Sequence, residues 1–151
     1  MSVGKNFDIE KLGKLPENFI VNNHIPQITV LKQASLFITH GGMNSVSEAM
    51  IHGVPMLVIP FVSDQPVNAR QVEKLGLGKV LDYKAIPADK LKETAMAVVE
   101  DHQIQENLQK IQKEIAQAPG NAGAVGIIEA YYGKQRTQLG QTAPNPDLRS
   151  G

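Results

Sequence analysis

The chain has 151 residues, a length that fits one domain with a single buried core. Fifteen Lys and Arg residues balance fifteen Asp and Glu residues, and no dense basic run indicates a nucleic-acid partner. Cys is absent, which excludes disulfides, thiolate metal sites and a Cys nucleophile, and agrees with a cytoplasmic location. Apolar runs such as Pro55 to Val62 are far shorter than the roughly 20 residues of a membrane-spanning helix, so no span is expected.

The first part of the chain predicts a strand, a short helix and a second strand. Asn18–Asn22 and Ser35–Thr39 are apolar runs bounded by Pro, Gly or polar residues, a pattern typical of buried strands. Between them, Pro26 suits a first helical turn, which predicts a short helix over Pro26–Lys32.

The same alternation continues along the rest of the chain. The expected elements are, in chain order, a helix over Asn44–His52, a strand over Pro55–Pro60, a helix over Gln65–Leu75, a strand over Gly78–Leu81, and three closing helices over Pro87–Glu100, Ile104–Ala116 and Ala122–Tyr132. An apolar stripe is interpreted as core and consists of Ile104, Leu108, Ile111 and Ile115. Buried strands that alternate with helices predict an α/β fold, a doubly wound, Rossmann-like parallel sheet covered on both faces.

Composition changes near residue 133. Residues 134–151 contain Gly, Pro, Gln, Asn and Ser with almost no large apolar side chain, which predicts a flexible tail. Residues 1–133 would then form the single folded domain.

Glycine and polar residues collect where the predicted strands end. The run from His40 to Ser45 follows one strand, Asp64 and Gln65 lie in the loop after another, and Gln27 follows the first. In open parallel sheets, ligands bind beyond the carboxyl ends of the strands, often with phosphates at helix N-termini. The two glycines of the run let a backbone approach a ligand closely, and its Asn and Ser add side-chain donors. The pattern therefore predicts a site that a diphosphate would fit.

A set of residues spaced from Pro26 to Asn68 is specific enough to indicate a family. The set consists of Pro26, Gln27, Leu31, Phe37, His40, Gly41, Gly42, Asn44, Ser45, Glu48, Gly53, Pro55, Pro60, Asp64, Gln65 and Asn68. It resembles the donor-binding signature of the UDP-glycosyltransferases. Within that family, its residues are most similar to those of bacterial macrolide-type glycosyltransferases. The resemblance implies the carboxyl-terminal, donor-binding half of an enzyme with the GT-B fold. The expected donor is a UDP-sugar, with UDP-glucose as the first candidate.

The resemblance also implies a role for each part of the signature. Gln27 and the backbone near Ile25 would face uracil, and Glu48 would bind the ribose hydroxyls. Asp64 and Gln65 would hold the sugar hydroxyls. The diphosphate would be held by the loop and helix start formed by His40, Gly41, Gly42, Asn44 and Ser45. Many relatives place a base-stacking Trp where this chain has His24, whose imidazole offers a smaller stacking face.

Three of these residues have structural alternatives. Ser45 and Glu48 have the spacing of a capping box, so Glu48 could simply stabilise the start of a helix. Asp64 could cap the helix that begins near Gln65, and this role could coexist with ligand binding. A His at a strand end is more often a packed or hydrogen-bonded residue than a ligand contact, although the glycines beside His40 favour the ligand role.

No metal site and no separate cofactor is predicted. His24, His52 and His102 lack the spacing of metal ligands, and no carboxylate pair accompanies them. The expected small molecule is the UDP-sugar substrate itself.

The resemblance further implies parts that lie outside this chain. In the family, an amino-terminal domain supplies the acceptor pocket and the His base, so we expect that domain as the missing partner and the isolated chain to be inactive. The donor domain would begin with a strand and a phosphate-contacting loop, and a second strand would end near Val3 and Gly4. A sheet that lacks its first strands leaves a hydrophobic edge, which favours dimerisation, strand exchange or a rearranged strand order.

The implied parent reaction is inverting transfer of a hexose from a UDP-sugar to a hydroxyl of a small-molecule acceptor, such as a macrolide-like natural product. Three alternatives stay open. The chain could be the donor-binding subunit of a split glycosyltransferase, a non-catalytic UDP-binding module, or a UDP-sugar epimerase of similar fold. The start at Met1 to Gly4, which reads as the end of an interrupted strand, favours a fragment over a natural subunit.

Overall fold

Helices and parallel strands alternate along the chain, as the sequence predicts. The computed structural model describes residues 1–84, 86–120 and 123–131. The strands are β1 (Phe37–Thr39), β2 (Met56–Val58) and β3 (Gly78–Val80), and the helices are α1 (Gln27–Leu31), α2 (Met43–His52), α3 (Gln65–Lys74), α4 (Ala88–Glu100) and α5 (His102–Gln117). A 3-10 turn at Ile9–Leu12 precedes them, and residues 123–131 are helical.

The chain divides into two units. The first unit, Met1–Lys113, contains the sheet, and the second unit is Glu114–Gly151. The tail expected over residues 134–151, and the domain boundary expected at residue 133, lie outside the described residues. Within the described ranges, no helix is both long enough and apolar enough to cross a bilayer.

The sheet is parallel, and its strands follow one another in the order β1-β2-β3. All three side chains of β2 (Met56, Leu57 and Val58) are fully buried. Because successive side chains of a strand point to opposite faces, β2 is covered on both faces, which confirms the predicted α/β sheet. The sequential order differs from the rearranged order that an open strand edge was expected to favour as one outcome. In the described sheet, β1 lies at one end, and its Ile38 is 48% exposed.

One apolar cluster joins the sheet to four helices. Its buried members are Val46, Ala49, Met56, Val58, Ala69, Val72, Leu77, Val98, Ile104 and Leu108. The stripe predicted on α5 lies in this cluster at Ile104 and Leu108, and Ile111 packs against it. Ile115, the last member of the predicted stripe, is 38% exposed and belongs to the second unit.

The buried strand predicted over Asn18–Asn22 is wrong. Phe19 and Ile20 are exposed, and the segment makes a single parallel bridge, from Asn22 to Ser2. Three backbone hydrogen bonds support this bridge, including Val3 N–H to the Asn22 carbonyl at 3.1 Å. A short apolar run forms a buried strand only where other strands and helices cover it, and this segment has one short neighbour.

Helix α2 ends where the sequence predicts. Gly53 adopts a left-handed conformation with φ of 67°, and its N–H bonds to the carbonyls of Ala49 and Met50. This conformation is readily available to glycine and satisfies carbonyls that the last helical turn leaves free. The following residues, Val54 and Met56, enter the core directly.

Replacing Leu108 with Ala tests whether α5 closes the core. Leu108 is 1% exposed within the main cluster, so Leu108→Ala should lower the free energy of unfolding by about 2–5 kcal/mol. Met96→Ala on α4 is the control, since Met96 is 50% exposed, and its effect should stay within about 0.5 kcal/mol. Chemical denaturation measures both. Equal effects of the two substitutions would contradict the packing of α5 on this core.

Candidate functional site

The loops that leave β1 and β2 meet at one edge of the sheet. Parallel strands end at the same edge, and β1 and β2 pair in register from Phe37 and Met56 to Thr39 and Val58. The loop after β1 leads directly into α2, and the loop after β2 leads into α3. This is the edge at which open α/β sheets bind ligands.

Gly41 lies in a tight turn at this edge of the sheet. Its φ is 85°, and a Cβ atom there would stand 2.7 Å from Val58 Cγ1. Its N–H donates to Thr39 Oγ1 at 3.2 Å, and its carbonyl accepts from Asn68 Nδ2 at 2.9 Å. Only glycine combines this conformation with so close a neighbour, which explains the first glycine of the pair.

The second glycine, Gly42, lies against His40. A Cβ atom at Gly42 would stand 2.7 Å from His40 Nε2, so the imidazole packs close to this backbone. Gly42 is also the N-cap of α2, so the first N–H groups of the helix lie at this edge of the sheet. We call this part of the site the rim, and it consists of His40, Gly41, Gly42, Asn44, Asp64 and Gln65. Such N–H groups and the helix dipole favour an anion. His40 and Asn44 are exposed, so both side chains are available to a ligand at this rim.

Hydrogen bonds of Asp64 and Gln65, two residues expected in the site, hold the loop before α3 and the start of that helix. Gln65 Oε1 accepts from the N–H groups of Phe61 and Val62 at 2.9 and 3.1 Å. Asp64 occupies the N-cap position of α3, yet its side chain makes no cap bond and instead accepts from Asn68 Nδ2 at 2.8 Å. The capping role considered for Asp64 is therefore wrong in its hydrogen bonding, although the position is right.

A cleft of about 440 Å³ opens between the start of α1 and α2. Its lining residues are Ser2, His24, Ile25, Pro26, Gln27, Ile28, Thr29 and Glu48. Inside it, Gln27 Nε2 donates to Glu48 Oε2 at 2.8 Å and to Ser45 Oγ at 3.3 Å. The volume lies within the range of small-molecule sites in proteins.

The capping box considered for Ser45 and Glu48 is wrong. A capping box needs Ser at the N-cap, whereas α2 begins at Met43 with Gly42 as its N-cap. Ser45 is thus already inside the helix, and both side chains accept from Gln27. The glycine geometry before the helix fixes its start three residues earlier than the Ser–Glu spacing suggests.

The structure brings the expected residues together in two linked groups. The cleft contains Ile25, Gln27 and Glu48, with Ser45 attached through Gln27. The rim contains His40, Gly41, Gly42, Asn44, Asp64 and Gln65. Helix α2 connects the groups, because its first turn belongs to the rim and its second to the cleft. Across the described ranges, no group of His, Asp and Glu side chains is arranged to hold a metal ion.

Two residues of this region had no role assigned from the sequence, although one of them, Asn68, belongs to the signature. Asn68 is 6% exposed and connects the Gly41 carbonyl to Asp64, which joins the two loops of the rim. A polar residue four positions after Asp64, on the buried face of α3, is the signal that could have identified it. Ser2 lines the cleft because the amino-terminal segment pairs with Asn22, a contact for which the sequence offers no local signal.

Comparison with known proteins identifies the family. The family described as "Erythromycin biosynthesis protein CIII-like, C-terminal domain" (EryCIII-like) matches residues 5–131. The chain belongs to this family. The match confirms the resemblance to macrolide-type glycosyltransferases that the signature carries, and identifies the chain as a glycosyltransferase C-terminal domain.

Individual relatives of this EryCIII-like domain agree with the assignment. An uncharacterized UDP-glucosyltransferase, YojK of Bacillus subtilis (strain 168), is 43% identical over 91% of the chain, which covers 34% of that protein. Oleandomycin glycosyltransferase of Streptomyces antibioticus is 37% identical over 86% of the chain, which covers 30% of that protein. The solved glycotransferase of kitacinnamycin superposes with a TM-score of 0.80 at 36% identity, over 85% of this chain and 33% of that one. The EryCIII-like domain thus spans about a third of these proteins and has the fold of the carboxyl-terminal half of GT-B glycosyltransferases.

Removing the Asn68 side chain tests whether this residue holds the rim of the EryCIII-like domain together. Asn68→Ala leaves the Gly41 carbonyl without its buried donor, so the free energy of unfolding should fall by about 1–3 kcal/mol. Arg70→Ala on the exposed face of α3 is the control and should have an effect within about 0.5 kcal/mol. Thermal and chemical denaturation measure the difference. An Asn68→Ala variant as stable as the Arg70→Ala variant would show that the connection is not needed.

Proposed function

We propose that this domain binds the nucleoside diphosphate of an activated sugar and forms the donor half of an inverting glycosyltransferase. The observation that carries the proposal is the position of the Glu48 carboxylate inside the cleft, one helical turn from a rim of backbone N–H groups. A carboxylate is suited to the hydroxyls of a ribose, and a helix start is suited to phosphates. The two features follow one another along α2 in the order in which ribose and diphosphate follow one another in a nucleotide.

The donor proposed for the cleft is a UDP-sugar, with UDP-glucose as the first candidate. The name of the relative YojK, an uncharacterized UDP-glucosyltransferase, supports this choice. The base would lie against His24 and the backbone of Ile25, and Glu48 would accept from the ribose hydroxyls. His40, Gly41, Gly42, Asn44 and Ser45 would surround the diphosphate.

The sugar would lie towards the loop before α3. Asp64 is exposed there and would accept from sugar hydroxyls. Gln65 would present its amide nitrogen, because its Oε1 already accepts from two backbone N–H groups. The tight turn at Ser63, whose φ is 62°, fixes the direction in which the adjacent Asp64 leaves the loop.

The role proposed in the reaction is stabilisation of the leaving group. As the bond from the sugar to UDP breaks, negative charge develops on the diphosphate, and the N-terminus of α2 would stabilise it. The acceptor pocket and the His base that deprotonates the acceptor hydroxyl would come from a separate amino-terminal domain. The proposed acceptor is a small hydroxylated natural product of the macrolide kind, a class supported by the name of the oleandomycin relative.

UDP should bind the chain more tightly than ADP. The cleft beside His24 and Ile25 suits a pyrimidine stacked on a small ring and recognised by backbone groups. A dissociation constant between micromolar and millimolar is expected, which corresponds to roughly 4–8 kcal/mol. Isothermal titration calorimetry with UDP and ADP at equal ionic strength measures both affinities. Equal affinities would remove the base assignment while leaving the diphosphate site in place.

Glu48→Ala should weaken UDP binding by about 1.5–3 kcal/mol, because charge-assisted hydrogen bonds to the ribose hydroxyls would be lost. The melting temperature should fall only by the contribution of the one hydrogen bond from Gln27, since Glu48 is not a cap of α2. Glu73→Ala, which removes an exposed carboxylate from α3, is the matched control and should leave UDP affinity unchanged. A Glu48→Ala variant that melts earlier but binds UDP as tightly as the parent chain would assign Glu48 a structural role instead.

A further inference from the structure

Gln27 directs both hydrogens of its side-chain amide towards α2. Its Nε2 lies 2.8 Å from Glu48 Oε2 and 3.3 Å from Ser45 Oγ, and these two acceptors are three residues apart on one face of the helix. An amide nitrogen has two hydrogens, so these two contacts use its full donor capacity. The contact also joins elements that are far apart in the chain, since 21 residues separate Gln27 from Glu48.

This arrangement leaves no amide hydrogen of Gln27 for a carbonyl of the base. To donate to a uracil carbonyl, the amide would first have to leave a carboxylate, which is the stronger acceptor. A carboxylate has two oxygens with several acceptor positions, so a bond from Gln27 to Oε2 leaves Oε1 able to accept from a hydroxyl. Gln27 and a ribose can therefore bind Glu48 at the same time.

A glutamate held in one position is a better ribose ligand than a free one. Glu is a long side chain with many rotamers, and ordering it when a ligand binds costs entropy that lowers affinity. The bond from Gln27 orders Glu48 before the ligand arrives. Because Gln27 is the first residue of α1 and the N-cap of that helix is Pro26, the position of the amide is itself constrained by the backbone.

We infer that Gln27 is a positioning residue, which acts on the ribose through Glu48 and does not discriminate between bases. The inference rests on the proposed function, since it requires that Glu48 binds the ribose hydroxyls. It assigns selectivity for the pentose to the pair of Gln27 and Glu48, and leaves selectivity for the base to the cleft wall at His24 and Ile25.

A double-mutant cycle on nucleotide binding tests the inference. Calorimetry is carried out with UDP, ADP and 2′,3′-dideoxy-UDP on the parent chain, on Gln27→Ala, on Glu48→Ala and on the double variant. Gln27→Ala alone should weaken UDP binding by roughly 3–10-fold, the range of one net hydrogen bond. The same substitution in the Glu48→Ala background should change UDP affinity by less than about 2-fold, because coupled residues are not additive.

The affinities for 2′,3′-dideoxy-UDP and ADP distinguish positioning of Glu48 from recognition of the base. Binding of 2′,3′-dideoxy-UDP should be insensitive to Gln27→Ala, and the ratio of UDP to ADP affinity should remain that of the parent chain. Gln27→Glu is the second variant: it keeps the size of the side chain but places a carboxylate against Glu48. It should weaken UDP binding at least as much as Gln27→Ala, which distinguishes hydrogen-bond donation from packing.

Four results would overturn the inference. Additive losses in the cycle would show that Gln27 acts independently of Glu48. A fall in the preference for UDP over ADP, together with an equal loss for the dideoxy analogue, would make Gln27 a reader of the base. Gln27→Ala with unchanged UDP affinity would remove the positioning role alone, whereas a parent chain that binds no nucleotide would remove the proposed function as well.

Discussion

The close approach of Gly41 to Val58 is the constraint on which the rest of the site depends. A side chain at Gly41 would collide with β2, and the left-handed turn there directs the chain from the end of β1 into α2. Thr39 and Asn68 satisfy the N–H and the carbonyl of this residue, so the turn is held from both sides. Because α2 starts at Met43, two residues later, this turn helps to set where the helix begins.

Helix α2 contributes to the site in two ways, through backbone groups at the rim and through side chains in the cleft. At the rim, the backbone dominates, because glycines bring the chain close and no side chain caps the N–H groups at the start of α2. In the cleft, side chains dominate, and the contacts of Gln27 with Ser45 and Glu48 define the polar wall. The two parts of the proposed ligand match these two parts of the site. Phosphates accept from backbone N–H groups, as at the rim, and ribose hydroxyls donate to a carboxylate, as in the cleft. The physical match of these two ends supports a nucleoside diphosphate more directly than any single residue does.

Local signals account for what the sequence could predict. The apolar run around Met56, the helical period after Gly42 and the glycine at position 53 each specify an element without distant information. The buried strand predicted around Phe19 is wrong, because the burial of a strand depends on neighbouring strands, which the sequence of a short segment does not reveal. The hydrogen bond of Gln27 with Glu48 spans 21 residues and that of Asn68 with Gly41 spans 27, so neither follows from local spacing.

Mapping the UDP-binding surface by NMR tests the central claim most directly, because it needs no substitution. Backbone amide shifts are followed in the full chain as UDP is added up to millimolar concentration. The largest changes should appear along the cleft and the rim, at Ile25, Gln27, Gly41, Gly42, Ser45 and Glu48. Changes concentrated on the outer faces of α4 and α5, or no saturable changes at all, would contradict a nucleoside diphosphate site at this edge of the sheet.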